Sequence, residues 1–210
     1  MNFPLGYNSD GKKIDKSILT VSHIFVSYTT QPQIRDFLKR LSINNDNADT
    51  QWLEICRESN RLSFPEGTSI ENYVYDNPSC GSILSKEKLF TNPHKLLKKR
   101  QTQKKLSQET LIILIDDIWQ VMPGLNKMNS NWLKTILKEG AEWRIYFVIG
   151  SNFPYRNLLL QLMQPGSKKN SPVNELGAEI IINPDQLLFF REMNELAFEI
   201  FYPENSEKTE

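Results

Sequence analysis

The residues best suited to chemistry are two adjacent carboxylates, Asp116 and Asp117, closing the aliphatic run TLIILID. At the C-terminal end of a buried strand, such a pair stands where open α/β sheets gather ligands. It can hold magnesium or poise a water, or it can simply be solvated at the strand end. A second stretch, SHIFVSYTTQPQIRDFLKRL from Ser22 to Leu41, reads as strand, tight polar loop and amphipathic helix. That is the layout of a phosphate-binding turn, which needs glycines, whose positive φ lets bare N–H groups converge on an anion, and a neutralising lysine. Here the loop carries Tyr28, Thr30, Gln31, Pro32, Gln33, Ile34 and Arg35. Cys56, Cys80, His23 and His94 are the only cysteines and histidines, without CxxC or HxxxH spacing, which argues against a structural zinc site. Neither histidine can be matched to a nucleophile and carboxylate, so no hydrolase signal emerges. Lys95, Lys98, Lys99, Arg100, Lys104 and Lys105 crowd PHKLLKKRQTQKKL, a basic helix. Such a helix either grips nucleic-acid phosphates without sequence preference or presents an ordinary solvated face. Few aromatics interleave the charges, so a single-strand stacking platform is not supported.

The elements that must position these residues follow from periodicity. TLIILID is a continuous apolar run, the mark of a strand buried on both faces. WRIYFVIGS and HIFVSY read as strands too, and TQWLEICRE as another. Between TLIILID and WRIYFVIGS lies NSNWLKTILKEG, a helix with Asn129 or Ser130 at its cap and Gly140 at its end. Trp132, Leu133, Ile136 and Leu137 form its apolar face. Strand, helix, strand implies a right-handed parallel crossover and hence an α/β protein. QPQIRDFLKRL is a helix with Pro32 in its first turn and Ile34, Phe37, Leu38 and Leu41 facing inward. Residues 60–93 look mostly irregular, PYRNLLLQLM helical, and QPGSKKNSPVN a polar loop. AEIIIN and LAFEIFY read as late strands flanking a short helix at PDQLLFFREM. The pattern predicts one domain over 1–202 and a disordered acidic tail over 203–210.

Composition narrows the classes. The 210 residues include 25 basic and 25 acidic side chains, so no net field draws nucleic acid or anionic membrane. The longest apolar run, Leu111 to Ile115, is too short to span a bilayer, and MNFPLGYNSDGKK has no signal-peptide layout. A cytoplasmic location is expected.

Taken in order, these segments resemble the motor domain of the FtsK/SpoIIIE family, ring-forming DNA translocases related to HerA and to the type VII secretion ATPases. PLGYNSDGKKIDKSILTVSHIFVS has the family's Leu-Gly start, Asp-x-Gly-Lys turn and Ser-His step into an apolar strand. The family then has a threonine-glycine-serine-glycine-lysine-serine loop, at the register of Thr30, Gln31, Pro32, Gln33, Ile34 and Arg35. Downstream, LIILIDDIWQVM, a capped helix and WRIYFVIGSNFP match its acidic strand, helix and Ala-Thr-Gln-Arg-Pro segment without a gap, Gly150 to Pro154 standing at those five positions. The likeness covers residues 5–38 and 108–160. It implies a RecA-like P-loop NTPase fold, a mainly parallel sheet between helices.

Position by position, the resemblance implies lost chemistry. Tyr28 stands at the first glycine and would crowd the anion nest, Gln31 and Gln33 replace the next two, and Pro32 removes an N–H donor. Ile34 replaces the lysine, and Arg35, at the magnesium-binding hydroxyl position, cannot ligate a cation. Asp116 falls at the magnesium-associated carboxylate and Asp117 at the catalytic glutamate, one methylene short. Asn152 falls at the sensor position, and Phe153 replaces an arginine. The expected protein is a catalytically inactive FtsK-like domain serving as an assembly or interaction module. Its partners would be proteins, such as an active FtsK-like ATPase or a component of a secretion or transfer machine. No cofactor is expected; ATP and magnesium, the latter at Asp116, would enter only if the degenerate loop still binds. Two alternatives stay open: a DNA-binding or translocase subunit whose ATPase depends on a partner, and an α/β enzyme of another class using Asp116 and Asp117.

Overall fold

The computed structural model describes residues 2–17, 22–43, 49–57, 61, 69–74, 89–104, 109–122, 125–152, 177–182, 185, 188–192 and 199–202. The segments PYRNLLLQLM and QPGSKKNSPVN, residues Phe153, Pro154 and Lys105, and the 203–210 tail lie outside them.

The most apolar runs form the middle of the sheet. β6 (Thr110–Ile115) and β7 (Ile145–Ser151) are buried at every position. Such strands need cover on both faces, and two separate clusters provide it. On one side Ile34, Phe37, Leu38 and Leu41 of α1 (Gln31–Ile43) pack over β3 (His23–Ser27) and its neighbours. On the other, Leu97 of α2 (Thr91–Gln103), Ile118 and Val121 of α3 (Ile118–Val121), and Leu133, Ile136 and Leu137 of α4 (Lys127–Glu139) meet Phe147, Ile149 and Ile113. β4 (Thr50–Cys56) and β5 (Ser69–Val74) continue the sheet on one side. β8 (Gly177–Ile182), β9 (Leu188–Glu192) and β10 (Glu199–Phe201) complete it on the other. The eight strands run β10-β9-β8-β3-β7-β6-β4-β5. All pairs from β8 to β5 are parallel, and β9 and β10 join antiparallel. A separate hairpin, β1 (Asn2–Tyr7) and β2 (Lys13–Ser17), reaches the sheet through reciprocal bonds of 2.9 and 2.8 Å between Tyr7 and Tyr202. Gly6, at φ 116°, is required there, because a Cβ would overlap the Tyr202 carbonyl.

Three local expectations are corrected. α4 starts at Lys127, with Asn126 accepting from the Asn129 N–H at 2.8 Å; Asn129 is buried inside the first turn. Gly140 ends α4 in a right-handed conformation, and Arg144, at φ 58°, makes the reversal after a short 3₁₀ turn. Glycine is still needed at 140, since a Cβ would press on the Ile136 and Ile145 carbonyls. Instead of a short helix, PDQLLFFREM holds β9, whose Leu188 and Phe190 are buried while Phe189 between them is only partly so. Its period of two is hidden in an unbroken apolar run and becomes visible only when β8 pairs with it. Of residues 60–93 the structure describes 61, 69–74 and 89–93, and in place of irregular chain 69–74 form a strand, β5, at the sheet's edge.

His23 ties these layers together. Its ring is fully buried, with Nδ1 accepting from the Phe147 N–H at 3.0 Å and Nε2 donating to the Leu137 carbonyl at 2.9 Å. That pattern requires neutral imidazole, and burial lowers its pKa from 6.5 to about 4 against a smaller opposing pull from the Leu137 bond. The folded state therefore binds this proton less readily than the unfolded chain. The contribution is complete above pH 6.5 and lost as pH falls through 4, amounting to about 3 kcal/mol for a shift of this size. Between pH 7 and pH 5, urea unfolding should show the wild type losing more stability than His23→Phe, the difference being the His23 contribution.

Candidate functional site

Because β7 lies between β3 and β6, the turn after β3, the end of β7 and the acidic pair after β6 converge at one rim of the sheet. Gly150 makes the close fit possible: a Cβ there would overlap the Asp116 carbonyl and crowd Ile34.

The turn is satisfied from within. The Tyr28 N–H donates to the Ser151 carbonyl at 3.0 Å. The Thr29 and Thr30 N–H groups converge, as they would on an anion, but both donate to the Gln33 side-chain oxygen, at 2.8 and 2.9 Å. Gln33 is 2% exposed. With Thr30 preceding α1 and Gln33 three positions on, this is the returning half of a capping box. Ile34 is fully buried with Phe37 and Leu38. Pro32 and Arg35 face solvent, and Arg35 meets Asp36 at 3.9 Å, an exposed pair of little energetic weight. Tyr28 is buried, its hydroxyl accepting from the Gln31 amide at 3.2 Å. Burial first, then the Asp117 and Asp116 charges, push its pKa upward.

The two carboxylates are not solvated at the strand end; Asp116 is 1% exposed and Asp117 0%. Asp116 Oδ2 accepts from the Arg57 N–H at 3.0 Å. Asp117 Oδ1 caps α3 through the Trp119 N–H at 3.1 Å, while its Oδ2 has no hydrogen bond and lies 3.9 Å from the Arg57 guanidinium. Burial above all, with Asp116 adding to it, raises the Asp117 pKa to about 6, against the Trp119 amide, Arg57 and Tyr28. Ser151 Oγ accepts from the Trp119 indole at 2.7 Å. Asn152 is exposed and borders a cleft of about 240 Å³ between Tyr28 and Thr29 on one side and Glu179 and Ile181 on the other.

The basic helix divides. Arg100 points inward, 3% exposed, and donates to the carbonyls of Trp143 at 2.6 Å, Arg144 at 3.3 Å and Glu109 at 3.1 Å. It fastens α2 to the ends of β6 and β7 and presents no charge to a ligand, which corrects its grouping with the lysines. Lys98 bonds to Gln101 at 3.0 Å and approaches Glu139 at 3.9 Å, while Lys95, Lys99 and Lys104 are exposed. His94 stacks on Trp132 with ring centres 5.3 Å apart. Among the described residues no group of three or more His, Cys, Asp or Glu is arranged to hold a metal, and no helix is long and apolar enough to cross a membrane.

Sequence reasoning found the loop with its Tyr28 and Gln33 and the acidic pair, but missed the capping role of Gln33 and the contact of Arg57 with the acids. Arg57 and Tyr28 carry no motif. Gln33 did have a signal, the Thr30-x-x-Gln33 spacing of a capping box.

No protein-family model and no curated protein matches the sequence. Solved structures do. The cytoplasmic domain of the Thermomonospora curvata type VII secretion ATPase EccC superposes with a TM-score of 0.63 at 12% identity, over 95% of this chain and 25% of that one. The chain has the fold of an FtsK/SpoIIIE-type ATPase domain. EccC ATPases 2 and 3 in complex with a signal sequence peptide match at TM-score 0.64 and 12% identity, over 95% of this chain and 40% of that one. The pCW3 conjugation coupling protein TcpA, in a monomer form with ATPγS, matches at 0.60 and 12%, over 97% and 66%. The chain thus spans a quarter to two thirds of these relatives' lengths. The expected RecA-like P-loop architecture, with its mostly parallel sheet flanked by helices, is the one observed.

Replacing Gln33 by alanine removes the acceptor for two loop amides that water can then reach. The loss should be about 1 kcal/mol, read as a lower urea midpoint with an unchanged slope.

Proposed function

We propose that this FtsK-type domain performs no nucleotide chemistry and serves as an assembly or interaction module. The observation that carries this reading is the Gln33 side-chain oxygen seated between the Thr29 and Thr30 amides. A phosphate oxygen arriving there would have to displace a bond pair the chain makes with itself. Beyond it, the buried Ile34 offers no cation, and Pro32 offers no donor. Charge stabilisation of phosphoryl transfer is worth roughly three to five orders of magnitude in rate, judged by arginine fingers, and nothing in this turn supplies it. What remains is a mostly parallel sheet covered on both faces by the chain's own helices, whose exposed surfaces are left to meet a partner. The neighbours named above are a secretion ATPase, the same type of ATPase with a signal sequence peptide, and a conjugation coupling protein. By that likeness the partner is a protein component of a secretion or transfer machine, with an active FtsK-type ATPase the first candidate.

Thermal unfolding with and without ATP and magnesium tests the reading. A ligand at one hundred times its dissociation constant adds about 2.7 kcal/mol. The expected result is no change in Tm; a rise of several degrees would overturn it.

A further inference from the structure

We infer that Arg57 is a built-in counter-cation, closing the acidic strand ends to a divalent metal. The inference rests on the reading of this rim as a retired nucleotide site, but it concerns residues outside the loop and is tested with metal alone. Arg57 follows β4 directly and engages both acids at once. Its N–H donates to Asp116 Oδ2 at 3.0 Å, and its guanidinium stands 3.9 Å from Asp117 Oδ2. The second oxygen of Asp117 is buried 3.9 Å from the Arg57 guanidinium, with the Tyr28 side chain also favouring its ionised form, and a buried carboxylate needs such a nearby positive charge or a proton. Arg57 supplies the charge from a side chain that is still 30% exposed, reaching in from solvent.

Magnesium does not fit the arrangement as it stands. That ion takes octahedral geometry at about 2.0–2.1 Å and keeps several waters. The two carboxylates are 1% and 0% exposed, which leaves no path for a water shell. Of their oxygens, Asp116 Oδ2 is held by the Arg57 N–H and Asp117 Oδ1 by the Trp119 N–H. The buried Tyr28 covers the neighbouring space. The cation position is therefore taken by the protein, as the phosphate position is taken by Gln33. The two substitutions come from different segments, so either can be reversed without the other.

Manganese, with its free-ion paramagnetic resonance signal, reads the site directly. Adding the wild-type chain to manganese without nucleotide should leave the free signal unchanged. Arg57→Ala should open a solvent path to the acids and bind part of the manganese, and adding Asp116→Asn should release it. Arg57→Gln, uncharged and shorter but still a hydrogen-bond donor, gives the same readout if the alanine variant unfolds. Manganese bound by the wild type and lost in Asp116→Asn would overturn the inference, as would a folded Arg57 variant that binds none. An ATP-dependent rise in Tm with no metal bound in its absence would instead count against the functional reading alone.

Discussion

The Gln33 carboxamide sits where the amides of Thr29 and Thr30 converge, and the character of the whole rim follows from that contact. Backbone N–H groups that point together create positive potential, and a fold that presents them must satisfy them with an anion, with water or with itself. This chain uses its own side chain. The consequence is a helix start that is well capped and a turn that needs no ligand to be complete. Two further residues of the turn add local order. Pro32 pre-sets the first turn of α1, and Ile34 adds to the core beneath it.

A second self-sufficiency lies two strands away. Burying adjacent carboxylates is costly, and the cost is offset here by the Trp119 amide, the Arg57 N–H and the Arg57 charge. Tyr28 links the two halves, since its hydroxyl is held by Gln31 of the turn and feels the charges of both acids. At this rim Tyr28, Gln33, Ile34, Asp116 and Asp117 are buried, while Thr29, Thr30 and Asn152 stay exposed around them.

The sheet that holds these parts is set by apolar runs and by close approaches that allow no side chain. Gly150 lets β7 lie against the Asp116 carbonyl, and His23, kept neutral by burial, bonds to both the β7 backbone and the α4 carbonyl. Arg100 does similar work at the opposite end, gathering three carbonyls under α2. Polar groups thus act as internal fasteners at several points, each with its partners inside the fold.

From sequence alone, the parallel core was legible, because β3, β6 and β7 are unbroken apolar runs joined by a helix of clear period. That Thr30 to Arg35 hold neither glycine nor lysine is read directly from the sequence, and the family resemblance made of it an expectation of lost phosphate binding. The β9 strand, the start of α4 and the inward turn of Arg100 were not legible. Each is decided by a neighbour distant in sequence: β8 for the strand, the buried Asn129 pocket for the helix, the carbonyls of Glu109 and Trp143 for the arginine. Only tertiary structure could place Arg57 against Asp116 and Asp117, 59 residues on from it to the first. Local chemistry fixes what a segment prefers, whereas burial and charge pairing depend on what the folded chain brings alongside.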